Sequence, residues 1–162
     1  MNRNGLLLAA KGFTLIELLV VITLIGIISA AGVSAFVNYN KSQAFQQDLS
    51  DFVNTLNTAK SNAYSQVVPT DANCAGKPLQ DYRVRVWKTK YTLYADCGTV
   101  QDGLFTKSFG TTVVFPGVTG GWDDIIFLLL TGNVSGSGNY VFSENGLSKT
   151  VNVSSAGVIT VQ

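Results

Sequence analysis

The sequence predicts an α+β protein in which one long N-terminal helix, apolar in its first half and amphipathic in its second, packs on an antiparallel β-sheet. Three observations carry this. Residues 13–37 form a 25-residue run whose only charge is Glu17; Phe45, Leu49, Phe52, Leu56, Ala59 and Ala63 then recur at a 4-3-4-3-4 spacing; beyond Tyr82 the hydrophobic period changes to two between glycine-rich turns. The composition narrows the function. Only 13% of the 162 residues are charged, with 11 basic against 10 acidic side chains, so bulk charge points neither to a nucleic-acid binder nor to an acidic tail. There is no histidine, which removes Ser-His-Asp and Cys-His nucleophilic catalysis, His-based zinc sites and a histidine general base. No catalytic constellation can be assembled, and a non-enzymatic chain is expected.

The elements follow in order. Residues 1–12 carry only Arg3 and Lys11 as charges, and by the positive-inside rule they stay in the cytoplasm. Residues 13–37, as a helix of roughly 37 Å, are long enough to cross a hydrocarbon core of about 30 Å. A single-pass cytoplasmic-membrane protein with its globular part outside is therefore expected. The rival reading is a secretory signal peptide cleaved near Ser29 to Ala31 or Ser34 to Ala35, which would release a secreted binding domain. It fits less well, because the apolar run exceeds the usual 7–15 residues of such a segment and carries a carboxylate near its start.

Glu17 needs a partner. An ionised carboxylate costs about 2.5–3.5 kcal/mol at the bilayer centre, and no Lys or Arg occurs between Glu17 and Lys41. Cutting the chain after Gly12 would give Phe13 a charged α-amino group four residues away, available to this Glu17 or to that of a neighbouring copy.

Residues 11–22, Lys-Gly-Phe-Thr-Leu-Ile-Glu-Leu-Leu-Val-Val-Ile, closely resemble the N-terminal motif of type IV prepilins and type II secretion pseudopilins. The resemblance implies removal of a 1–12 leader by a prepilin peptidase between Gly12 and Phe13, and N-methylation of Phe13. It also implies registration of Glu17 against the N-terminal amine of a neighbouring subunit in a filament. The implied partners are other pilin or pseudopilin subunits, the peptidase, a membrane assembly platform and, before assembly, the bilayer. No cofactor is implied. The chain departs from many major pilins in having no proline between residues 13 and 68; Gly26 and Gly32 are the weak points of the helix, or allow close helix packing.

From Asn38 the composition turns polar while the helical period persists to about Gln66, and the 38–66 stripe is the width expected of a helix lying on a sheet. Val67, Val68 and Pro69 end it, and residues 70–81 form a polar loop. Residues 67–162 are expected to build the β domain. Strands are expected at 82–86 and 91–95, a hairpin around Trp87 to Lys90, and at 111–115, 125–130, 140–143, 149–154 and 158–162, the last two joined at Ser155-Ala156-Gly157. This plan is similar to the pilin fold. The closing strands look like those of the pseudopilin H group of minor subunits, which includes a related minor pilin of DNA uptake, although Val158 stands where that group often has a basic residue.

Cys74 and Cys97 lie on the exported side, so a disulfide closing a loop of about 24 residues is expected; two free thiols are the alternative in a host that forms no disulfides. Arg83, Arg85, Lys88 and Lys90 cluster beside Trp87 and Tyr91, a pattern able to contact a nucleic-acid backbone, yet four such charges on a hairpin usually form a solvated, edge-protecting face. Nucleic acid is not an expected partner, and a DNA-uptake pilin is kept as an alternative. Asp71 to Gly76 lacks an EF-hand's ligands at Ala75 and Tyr82. Asp123 and Asp124 are weak calcium candidates, with a solvated turn preferred. Asn133 and Asn152 match the glycosylation pattern. The sequence thus predicts a structural subunit of a type IV pilus or type II secretion pseudopilus.

Overall fold

The computed structural model describes residues 12–70, 73–110, 112–114, 121–144 and 146–162, the side chains of residues 30–32, 34, 112 and 114 excepted. The leader residues 1–11 lie outside this set, as do Asp71, the Thr111 and Phe115 ends of one expected strand, and the side chains of Ala30, Ala31 and Ser34 around the alternative cleavage points. The chain divides into two compact units, Met1–Lys41 and Ser42–Gln162, and helix α1 (Leu15–Tyr64) contributes to both.

In the first unit the helix is apolar around its circumference. Ile16, Leu18, Leu19, Ile22, Ile25 and Ile28 are all exposed, so among the described residues no face of this segment is buried. Among the described residues no helix is long and apolar enough to cross a membrane.

In the second unit the helix is amphipathic. Phe45, Leu49, Phe52, Leu56, Ala59 and Ala63 are all buried, the same six residues that the 4-3-4-3-4 spacing selects. The helix ends at Tyr64 with a Schellman motif: Val67 N–H donates to Asn62 C=O at 3.0 Å and Gln66 N–H to Ala63 C=O at 3.4 Å. Gln66 occupies the left-handed position at φ 52°, normally a glycine's place.

The single sheet expected from the sequence is two antiparallel sheets. The first contains β1 (Leu79–Trp87), β2 (Lys90–Cys97), β3 (Val100–Ser108), β5 (Trp122–Leu128) and β6 (Val134–Ser135) in the order β3-β2-β1-β5-β6. The second contains β4 (Thr112–Val114), β7 (Gly138–Glu144), β8 (Leu147–Val153) and β9 (Ile159–Val161) in the order β4-β7-β8-β9. Both share one core with the helix. The Phe52 ring lies 5.3 Å from Tyr91 of the first sheet and 5.1 Å from Phe142 of the second, centroid to centroid, with Phe109 at 5.9 Å. Such aromatic contacts add about 0.5–1.5 kcal/mol each beyond area burial.

Every expected strand has a counterpart, but two strands were not expected and one is shifted. β3 has glycine at position 103 and carboxylate at 102, which break the alternation, and a bulge between Leu93 and Tyr94 shifts its register. β6 is two residues long. The strand expected at 125–130 begins at Trp122, because Asp123 and Asp124 find partners, and stops at Leu128. Leu130 then turns at φ 66° and donates its N–H to Ala63 C=O at 3.3 Å. The last expected hairpin is present: Gly157 turns at φ 72° and Ser154 N–H donates to Val158 C=O at 2.9 Å.

Candidate functional site

Gly12, Phe13 and Thr14 precede the helix in irregular backbone, and Phe13 is 84% exposed. The peptide bond between Gly12 and Phe13 therefore lies outside the helix in exposed backbone. Thr14 caps the helix in a capping box. Its Oγ1 accepts from Glu17 N–H at 3.3 Å, while its own N–H and hydroxyl donate to Glu17 Oε2 at 3.4 and 3.3 Å. Thus Glu17 has a local partner that a search for cationic side chains misses. The signal was in the sequence as Thr14-Leu15-Ile16-Glu17, the threonine-x-x-glutamate pattern. The carboxylate also lies in the first turn, where the helix dipole favours negative charge. Gly12, Phe13, Thr14 and Glu17 together line an open hollow of about 300 Å³.

Residues 7–33 match the prokaryotic N-terminal methylation motif. In this segment the chain is similar to prepilin-type precursors, which carry that motif. The motif ends within the helix, and the β domain lies wholly beyond it. No curated protein and no solved structure matches the chain. Past the methylation motif, the α+β arrangement of helix and antiparallel strands is consistent with a pilin fold.

Cys74 and Cys97 are joined in a disulfide with Cα atoms 5.3 Å apart. It ties the loop after the helix to the end of β2, and both residues are fully buried.

The four basic residues do not form one patch. On the face of the first sheet turned away from the helix, Arg83 pairs with Asp96 and, at 3.0 Å, with Asp124. Arg85 grips Asp124 with two hydrogen bonds of 2.7 and 2.8 Å, and its guanidinium lies 4.2 Å from the Trp122 ring centroid and 5.5 Å from that of Tyr94. These side chains are some four-fifths buried and their charge is matched by carboxylates. Lys88 and Lys90 are exposed, Lys90 over the Trp87 ring at 5.0 Å. The acidic partners were missed because Asp96 and Asp124 lie far from the arginines in sequence and meet them only through strand register.

That register also separates the two weak calcium candidates. Side chains alternate along β5, so Asp124 faces the arginines while Asp123 faces the interior and accepts from the Tyr140 hydroxyl at 3.0 Å. They cannot hold one cation together. Among the described residues no group of three or more acidic, Cys or His side chains is arranged to hold a metal ion. Burial, and then the Asp123 charge, push the Tyr140 phenol far above its ordinary range.

Proposed function

We propose that the chain is a structural subunit, a minor pilin or minor pseudopilin, of a type IV pilus or type II secretion pseudopilus. A prepilin peptidase cuts between Gly12 and Phe13 and Phe13 is N-methylated. Residues 13–37 hold the precursor in the cytoplasmic membrane, N-terminus inside, and then pass into the core of a filament of like subunits. The observation that carries this is the methylation motif at the start of a helix whose first half, among the described residues, exposes its apolar side chains all round. Such a surface needs lipid or copies of itself, since large exposed apolar areas mark membrane or protein contacts. Trimming removes Arg3 and Lys11, so the mature subunit has 9 basic and 10 acidic side chains.

In this reading Glu17 serves twice, as a helix cap within the subunit and as the anion that the methylated amine of a neighbour meets during assembly. Glu17→Gln separates the two roles, because glutamine keeps the capping box and loses the charge. The variant is expected to insert and be trimmed normally, yet to be missing from sheared filaments by at least tenfold relative to the wild type. Normal incorporation would overturn the assembly role. The DNA-uptake alternative draws less support, since Arg83 and Arg85 are committed to Asp96 and Asp124.

A further inference from the structure

Beneath the arginine–aspartate cluster lies a second acidic contact. Asp81 and Asp96 are cross-strand partners at the base of the β1–β2 hairpin, next to a bulge between Leu79 and Asp81. Strand alternation turns Tyr82, Ala95 and Cys97 into the core and both carboxyl groups to the opposite face. There Oδ1 of Asp81 and Oδ1 of Asp96 are buried with no donor from the described residues, and Asp96 as a whole is only 6% exposed. The register sets the two carboxyl groups opposite each other, where two ionised carboxylates repel and a single shared proton supplies the donor that the buried oxygens lack.

We propose that Asp81 and Asp96 form a proton-sharing carboxyl pair, a pH-sensitive clasp between the start of β1 and the end of β2.

The groups around the pair fix its behaviour. From β1 come Arg83 and, farther along, Arg85; from β2, Asp96 and Tyr94; from β5, Asp124; β3 presents uncharged Gln101 opposite Asp96. Three aspartates thus face two arginines. Arg83 bridges Asp96 and Asp124 and Arg85 holds Asp124, so the first carboxylate without a cation of its own is Asp81. A proton removes that excess negative charge. A polar hollow of about 190 Å³, lined by Gln80, Arg83, Asp96, Thr99 and Gln101, leads from the cluster to solvent and lets the proton exchange.

Burial, then the neighbouring Asp96 carboxyl, push the Asp81 carboxyl up to about 6 against an ordinary 3.8. The folded protein therefore binds this proton more tightly than the unfolded chain does. Its stabilising contribution is complete below about pH 4 and is lost as the pH rises through about 6. The chain has no histidine, so no side chain has an ordinary pKa near 6. Asp96 adjoins Cys97, and Gly98 N–H donates to Pro78 C=O at 3.0 Å, so losing the clasp loosens the point where the disulfide loop joins the sheet.

The test uses the full chain in detergent micelles. Carbon-detected NMR of the aspartate carboxyls from pH 3 to 8 is expected to show Asp81 titrating near 6, with the wild-type Tm falling by about 2–4 °C between pH 5 and 7.5. Asp81→Asn, which keeps a hydrogen-bond donor for Asp96 at every pH, should abolish that fall. An Asp81 midpoint near 4, or an unchanged fall in Asp81→Asn, would overturn the proposal. Recovery of the wild-type Tm at pH 7.5 by millimolar calcium, absent in Asp81→Asn, would also overturn it by making a cation rather than a proton the occupant.

Discussion

Glu17 shows how a single residue is read differently by lipid cost and by helix chemistry. The lipid argument asks for a positive partner from outside the helix, and the structure supplies the carboxylate with two hydrogen bonds from Thr14 at the helix cap. The two needs are compatible, because hydrogen bonding satisfies lone pairs without cancelling charge. Gln66 is the other residue whose local conformation has a measurable consequence. It closes a Schellman motif in left-handed backbone, which costs a non-glycine residue about 1–2 kcal/mol. Glycine relieves that strain but loses more entropy on folding, by about 0.5–1 kcal/mol. Gln66→Gly is therefore expected to stabilise the fold by about 0.5 kcal/mol, read as a higher midpoint in urea with an unchanged slope.

Among the elements, the amphipathic helix was the most legible, since a repeat of 3.6 writes the core face directly into the spacing and all six stripe residues are buried. The β1–β2 hairpin and the closing β8–β9 hairpin were legible for the same reason, through alternation and turn residues. β3 was not. Its Asp102 is buried and one carboxylate oxygen accepts from Asn73 Nδ2 at 2.9 Å, so a residue type that argues for a loop is held in the strand by a partner far away in sequence. β6 depends on backbone proximity that no pattern encodes: a Cβ on Gly136, at φ 82°, would fall 1.9 Å from the Asp124 carbonyl oxygen. Gly136→Ala must displace β5 or break the turn, and a loss of at least about 3 kcal/mol in chemical denaturation is expected. A loss below 1 kcal/mol would show that β5 and β6 do not approach in this way.

At the scale of the whole molecule, the low overall charge arises from one segment. Residues 13–37 hold a single charge, leaving 20 for the other 137 residues, and the β domain is an ordinary polar-surfaced unit with a disulfide and an aromatic core. The α+β class was legible because helix and strand periods occupy separate parts of the chain. The division into two sheets was not, since alternation specifies which residues face a core but not which strands pair. The basic hairpin changed meaning for the same reason: its charge balance is set by register with Asp96 and Asp124, which no local window contains. The methylation motif, by contrast, is local and complete, and the proposed function rests on it. Mass spectrometry of the mature N-terminus, on protein from membranes of a host with a prepilin peptidase, tests that reading most directly. N-methylphenylalanine at position 13 is the predicted result. An unmethylated chain beginning near Gly32 or Phe36 would contradict it and make the protein a secreted domain freed by ordinary signal cleavage.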